Sequence, residues 1–253
     1  MTTTRPPALE LQGLEKAFGS VKIIRGIDLA IPVGERHALI GPNGAGKSTL
    51  FHLISGHIRP SGGSIRLHGR TIGGMRPERI NRLGLSRSFQ ITNIFPQLSV
   101  WENIRCAKLW SMGYRYAFWR NVDRLDELSR QTDEILDEIN LLDRAATPAG
   151  SLAYAEQRAL EIGLAIAGNA EVLLLDEPMA GMSRGETAHM AALIRKVSAG
   201  RTLLMIEHDM GVIFDLADRI SVLVYGEVIA SDTPERIKAN AAVQQAYLGT
   251  DVA

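Results

Sequence analysis

Ala8 to Leu14 and Lys22 to Ile31 carry the apolar and polar pattern of half-buried strands, with Phe18-Gly19-Ser20 as turn residues between them. Glu35 to Ile40 reads as a third strand. It runs into the glycine-rich stretch Gly41 to Thr49, and a helix is predicted from about Lys47 to Ser55. Arg59-Pro60-Ser61-Gly62-Gly63 is a loop, and Ser64 to Leu67 is another short strand. The middle of the chain then changes character. Ser99-Val100-Trp101-Glu102 has the form of a capping box, so a helix should start there. Asp123 to Leu142 places Leu125, Leu128, Ile135, Ile139 and Leu142 at helical spacing among charges, and no strand is expected between about Ile91 and Gly150. Short apolar runs of the buried-strand kind return at Val172 to Leu175, Thr202 to Ile206 and Arg219 to Val224. Tyr225-Gly226 turns into Val228 to Ala230. Thr233-Pro234 reads as an N-cap followed by proline at the first helical position, and the tail after Gly249 is expected to be loose. The pattern is that of an α/β core interrupted by a helical subdomain. The expected division is 8–90 and 156–232 for the core, 91–155 for the helical insert, and 233–253 for C-terminal helices and tail.

Composition narrows the choice of function. The 253 residues are 45% hydrophobic and 22% charged, an ordinary globular balance with enough length for a sizeable core. Lys and Arg total 28 against 28 for Asp and Glu, so the basic excess of a typical nucleic-acid binder is missing and no nucleic-acid partner is expected. A single cysteine, Cys106, rules out an intrachain disulfide framework and a cysteine-based zinc site; it is expected to be a small buried hydrophobe. Met1 to Pro7 is polar and lacks the apolar core of a signal peptide. No stretch approaches the roughly 20 apolar residues that a spanning helix needs.

Three stretches carry chemistry. Gly41-Pro42-Asn43-Gly44-Ala45-Gly46-Lys47-Ser48-Thr49 matches the phosphate-binding P-loop pattern, between a strand and a helix. Its glycines let backbone N–H groups wrap phosphates, and the helix N-terminus adds partial positive charge. Lys47 should reach the β- and γ-phosphates of ATP, and Ser48 should bind Mg2+. Val172-Leu173-Leu174-Leu175-Asp176-Glu177 is an apolar strand ending in two carboxylates. Asp176 would hold the magnesium ion directly or through water, and Glu177 would polarise the attacking water. His208, just past the strand Thr202 to Ile206, stands where a side chain of an open α/β sheet can face a bound ligand, here the γ-phosphate.

With these motifs in place the chain resembles the ABC transporter ATPases over nearly its whole length. The resemblance implies a P-loop NTPase core with an antiparallel β segment and an inserted helical subdomain. It also implies an aromatic that stacks on adenine, matched by Phe18, and a glutamine that touches magnesium and water, matched by Gln90 in Arg87-Ser88-Phe89-Gln90. Ile206-Glu207-His208-Asp209 matches the switch histidine. Glu177, His208 and Gln90 are then the catalytic candidates, and Ser48, Gln90 and Asp176 the metal candidates. The family's signature, ideally L-S-G-G-Q, reads here Leu152-Ala153-Tyr154-Ala155-Glu156. In family dimers each ATP lies between one subunit's P-loop and the other's signature, so this chain offers its partner fewer phosphate contacts than it makes itself. Ala180-Gly181-Met182-Ser183 likewise ends in serine where many relatives have aspartate.

Arg87 to Asn103, Tyr154 to Ile162, Ile206 to Asp209 and Ala246-Tyr247-Leu248-Gly249 resemble the ATPases of branched-chain amino acid importers, as does the extra length between about Ala107 and Arg130. That resemblance implies a peripheral subunit on the cytoplasmic face of the inner membrane. Its expected partners are two permease subunits, a sister ATPase in preference to a second copy of itself, and indirectly an extracytoplasmic solute-binding protein. Lipopolysaccharide-export ATPases, with a similar ending, and soluble non-transport ABC ATPases are the alternatives. A regulatory nucleotide-binding module without turnover is disfavoured by Glu177 and His208. Trp110, Tyr114, Tyr116, Phe118 and Trp119 crowd together with Lys108, Arg115 and Arg120. Two readings stand for this cluster, packing inside the helical subdomain or contact with a membrane protein or headgroups.

Overall fold

The computed structural model describes residues 6–88, 94–113 and 125–248, together with the backbone alone at Trp110 and at residues 246–248. Strands β1 (Leu9–Phe18), β2 (Val21–Ile31), β4 (Gly62–Leu67) and β5 (Arg70–Thr71) form an antiparallel sheet in the order β2-β1-β4-β5. Phe18 pairs with Val21, so it ends β1 and leaves Gly19-Ser20 as the turn; Gly19, at φ 60°, supplies the left-handed residue the reversal needs.

The second sheet holds β3 (Arg36–Ile40), β6 (Leu85–Arg87), β7 (Val172–Asp176), β8 (Thr202–Ile206), β9 (Arg219–Val224) and β10 (Glu227–Asp232) in the order β10-β9-β3-β8-β7-β6. All neighbours are parallel except the hairpin partner β10. The apolar runs expected to be strands are buried on both faces because the strand alternation feeds two cores. Leu173 and Leu175 face a core built with helices, whereas Val172 and Leu174 face the antiparallel sheet. Ala38 against Leu39, and Leu203 against Leu204, repeat the alternation on β3 and β8.

Helix α1 (Lys47–Ile54) buries Leu50, Phe51, Leu53 and Ile54 in the core between the sheets. The core on the other face is closed by α3 (Val100–Ser111), α4 (Asp126–Glu138), α5 (Tyr154–Ala167), α6 (Arg184–Val197) and α7 (Met210–Leu216). The chain ends in α8 (Pro234–Lys238) and α9 (Ala241–Leu248). The capping box before α3 forms as written in the sequence: Glu102 Oε2 accepts from the Ser99 N–H at 2.8 Å, and the Glu102 N–H donates to Ser99 Oγ at 3.1 Å. Helices α3, α4 and α5 pack closely at Gly163, where a Cβ would come within 2.6 Å of Ile139 Cδ1 and 2.9 Å of Ile104 Cδ1.

Some elements differ from the sequence reading. Helix α4 stops at Glu138 because Asn140 adopts φ 58°, so Leu142 begins a separate 3-10 turn. Cys106 is exposed and not a buried hydrophobe. The short elements α2 (Pro77–Asn81), β5 and β6 carried too few residues to show a period. Among the described residues of 91–150 there is no strand, only an isolated bridge between Ser99 and Pro148.

Candidate active site

Strands β3, β8 and β7 lie side by side, so the segments that follow their C-terminal ends meet at one edge of the parallel sheet. The glycine-rich loop follows β3, Glu207-His208 follows β8, and Asp176-Glu177 closes β7. Asp176, 127 positions beyond Thr49, and His208 farther on thereby share the loop's site.

The loop's shape depends on glycine at two points. A Cβ at Gly41 would lie 2.0 Å from the Leu223 carbonyl oxygen, and Gly46, the N-cap of α1, sits at φ 107°. No side chain caps α1 and no acid occupies its first turn, so the amides there are open to an anion. Ala45 is buried, while Asn43, Gly44 and Ser48 are exposed; Pro42 and Thr49 are intermediate. Lys47 is folded back on the loop, its Nζ donating to the carbonyls of Gly41 at 2.6 Å and Pro42 at 3.0 Å. Burial pulls its pKa below the usual lysine value, opposed by the charges of Glu177 and Asp176.

The two adjacent acids have opposite surroundings. Asp176 is 2% exposed; its Oδ2 accepts from Arg87 Nη2 at 2.8 Å, and its Oδ1 has no hydrogen-bond partner among the described residues. Glu177 adopts φ 49°, a strained conformation for this residue, held by its N–H donating to the Ile206 carbonyl at 2.9 Å. Its carboxylate meets His208, whose Nε2 lies 2.6 Å from Glu177 Oε1. Next to it, buried Glu207 accepts from the N–H groups of Met179 at 2.9 Å and His208 at 3.1 Å, tying the segments after β7 and β8 together. Burial raises the Glu207 carboxyl above its ordinary range, and those two hydrogen bonds oppose the rise.

Phe18 is half exposed at the end of β1, with Lys16 Nζ 4.8 Å from its ring centroid. Gln90 lies outside the described residues, as do residues 114–120 of the aromatic cluster. The Leu152–Glu156 stretch opens α5. Ala153 has the N-cap backbone but no side chain to cap with, so half of the capping box remains: Glu156 Oε2 accepts the Ala153 N–H at 2.9 Å. Arg144 Nε pairs with the other Glu156 oxygen at 3.2 Å. Leu152 is buried and Tyr154 partly exposed, its hydroxyl accepting from Arg158 Nη2 at 2.9 Å. Ser183, the N-cap of α6, donates its hydroxyl to Glu186 Oε2 at 2.6 Å.

Arg87 and Glu207 were not singled out from the sequence. A lone arginine ending a three-residue strand carries no local signal; only the β6–β7 pairing brings it to Asp176. Glu207 was legible only as the neighbour of His208.

The profile described as ABC transporter matches residues 24–180, from β2 through the P-loop and the β7 acids to the loop after them. The chain belongs to the ABC transporter family. As an ABC ATPase it binds and hydrolyses ATP. A second profile, described as branched-chain amino acid ATP-binding cassette transporter, matches residues 227–253. The chain is 36% identical over 252 residues to the high-affinity branched-chain amino acid transport ATP-binding protein BraF of Pseudomonas aeruginosa, covering 96% of this chain and 98% of that one. It is 35% identical, with the same coverage, to LivG of Escherichia coli K12, which carries the same description. Among solved structures, the ADP conformation of MJ1267, an ATP-binding cassette of an ABC transporter, superposes with a TM-score of 0.84 at 25% identity, over 98% of this chain and all of that one. No helix among the described residues is long and apolar enough to cross a membrane.

Proposed function

We propose that this ABC ATPase is the motor subunit of an importer for branched-chain amino acids or related small amides and carboxylates. It would sit on the cytoplasmic face of the membrane against two permease subunits, supplied from outside by a solute-binding protein. The carrying observation is that near full-length similarity to two branched-chain amino acid transport ATP-binding proteins comes with a branched-chain-type C-terminus at residues 227–253. The same matches favour this reading over lipopolysaccharide export or a non-transport ATPase.

The residues present fit a magnesium ion. The unpartnered buried oxygen Asp176 Oδ1 and the hydroxyl of Ser48 are acceptors of the hard type, and such an ion takes few protein ligands beside phosphate and water. Magnesium would neutralise phosphate charge; Ser48, Asp176 and Gln90 would hold it. Lys47 would exchange the Gly41 and Pro42 carbonyls for phosphate oxygens. Glu177, pinned at Oε1 by His208, has Oε2 left to orient the attacking water and accept its proton. Phe18 would stack on adenine, and Gln90 with the helices after it would carry closure to the permeases. A sister ATPase is favoured as partner because the Leu152–Glu156 face, lacking the hydroxyl at Ala153, is a weaker phosphate site than the chain's own P-loop.

One tagged variant, Glu177→Gln, tests both halves. Pull-down from gently solubilised membranes should recover two permeases and a second ATPase. The purified variant should keep ATP affinity while hydrolysis falls by about 100- to 10,000-fold. Recovery of ribosomes or nucleic acid without membrane proteins would overturn the transport reading, and parental hydrolysis would remove Glu177 from its role.

A further inference from the structure

The Arg87–Asp176 pair does more than neutralise a buried acid. Arg87 is 6% exposed at its side chain and Asp176 2%, so the pair is held where solvent does not loosen it. Arg87 Nη2 takes Asp176 Oδ2 at 2.8 Å, while Arg87 Nη1 donates to Ser55 Oγ at 3.2 Å, and the guanidinium lies over the Phe51 ring, 5.6 Å from its centroid. Ser55 Oγ is itself fixed, donating to the Phe51 carbonyl at 2.7 Å. The arginine is thus anchored on α1, the helix that carries Lys47 and Ser48, and reaches across to β7. It joins the elements that carry Ser48 and Asp176, two of the residues that would hold the cation, and leaves Asp176 a single oxygen, Oδ1, without a partner among the described residues.

That arrangement has a consequence for which cation the site accepts. A carboxylate with both oxygens available can chelate in the bidentate manner suited to Ca2+, with its large and variable shell. A carboxylate reduced to one oxygen suits the small octahedral shell of Mg2+, met directly or through one bound water. We propose that Arg87 is a positioning residue that sets cation preference, by occupying Asp176 Oδ2 so that only Oδ1 faces the metal–nucleotide. This rests on the reading of a magnesium–ATP complex at the P-loop.

The test is nucleotide affinity, with no turnover required. A fluorescent ATP analogue is titrated into the purified chain in EDTA, in Mg2+ and in Ca2+, and the ratio of the Mg2+ to the Ca2+ affinity is compared between variants. Arg87→Met should reduce that ratio by about tenfold, in the range found when groups behind a metal ligand are removed. Arg87→Lys, which keeps a donor for Oδ2, should retain most of it. A purely structural role would weaken binding in Mg2+ and Ca2+ together and leave the ratio unchanged, which would overturn the proposal. Arg87→Met leaves a buried carboxylate unpaired and is the variant at risk of not folding. Arg87→Gln, two atoms too short to reach Oδ2 but polar, then takes its place with the same expected loss, each variant being checked by thermal melting. If the parent chain binds no more tightly with either cation than in EDTA, the metal–nucleotide reading itself fails. If the parent discriminates and the variants do so equally, only the role of Arg87 fails.

Discussion

Helices α1 and α5 both begin at stretches proposed to meet phosphate, one the chain's own and the other a dimer partner's, yet the two ends are built in opposite ways. At α1 the N-cap is Gly46 in the left-handed region, no side chain caps the helix, and the first turn has no acid. Lys47, the first residue of the helix, is parked on two carbonyls that phosphate oxygens could replace. At α5 the first turn contains Glu156, which already takes the Ala153 N–H, and the exposed Tyr154 stands beside it. A helix N-terminus attracts any anion, its own carboxylate included. The contrast teaches that a ligand site is an end whose amides the fold has declined to satisfy, and by that measure α1 is open and α5 partly closed.

The largest expected effect comes from the open end. Lys47→Ala removes the charged donor to the phosphates, and ATP affinity measured by fluorescence titration should drop about 100-fold. Melting temperature should move little, because Lys47 contributes hydrogen bonds to carbonyls of a loop and none to the apolar core. A variant that bound ATP as well as its parent would mean that the backbone cradle alone suffices, and the distinction between the two helix ends would lose its main support.

Much of this difference could be read in the chain before its fold was known, because a P-loop is a local object: nine consecutive residues, three of them glycine, between a strand and a helix. The apolar runs of β7 and β8 were legible for the same reason, being buried on both faces and so nearly continuous in apolar residues, and β9 keeps the same character around a single buried Ser221. What was not legible depends on partners far away in sequence. Arg87 acquires meaning from Asp176, 89 positions on, through a strand too short to show a period. The closure of α5 depends on Glu156 turning back to its own N-cap and on Arg144 from the preceding segment. The departure from the family signature was visible at once, but its substance, that the Glu156 carboxylate takes the Ala153 N–H, is a fact of geometry.

An intermediate effect is expected from Glu156→Gln, which restores the family's residue and lifts one negative charge from the end of α5. If a partner's ATP docks here, ATP-driven association, followed by analytical ultracentrifugation with the hydrolysis-impaired chain, should tighten about fivefold per site, the size of one charge–charge contact near 4 Å in water. Weaker association would show instead that the Arg144–Glu156 pair orients the signature for its partner, and the view of Glu156 as a competitor for phosphate would be wrong.

The smallest effect separates the two jobs of an N-cap. Ala153→Ser supplies the missing hydroxyl at a position whose backbone, at φ −62° and ψ 157°, already has cap geometry, and Glu156 stands at N3 to complete the box. In the isolated chain the hydroxyl should accept from the Glu156 N–H and stabilise the fold by about 1 kcal/mol. At this length that corresponds to a rise of roughly 2 to 4 °C in Tm. In the proposed ATP-bound dimer the same hydroxyl would have a competing use, as a donor to the partner's phosphate. A gain in Tm without a gain in ATP-driven association would mean that the new serine serves its own helix, so that α5 stays closed even with the family's residue restored. A gain in association as well would mean that a single missing oxygen, and not Glu156 or Tyr154, accounts for most of what separates this end from α1.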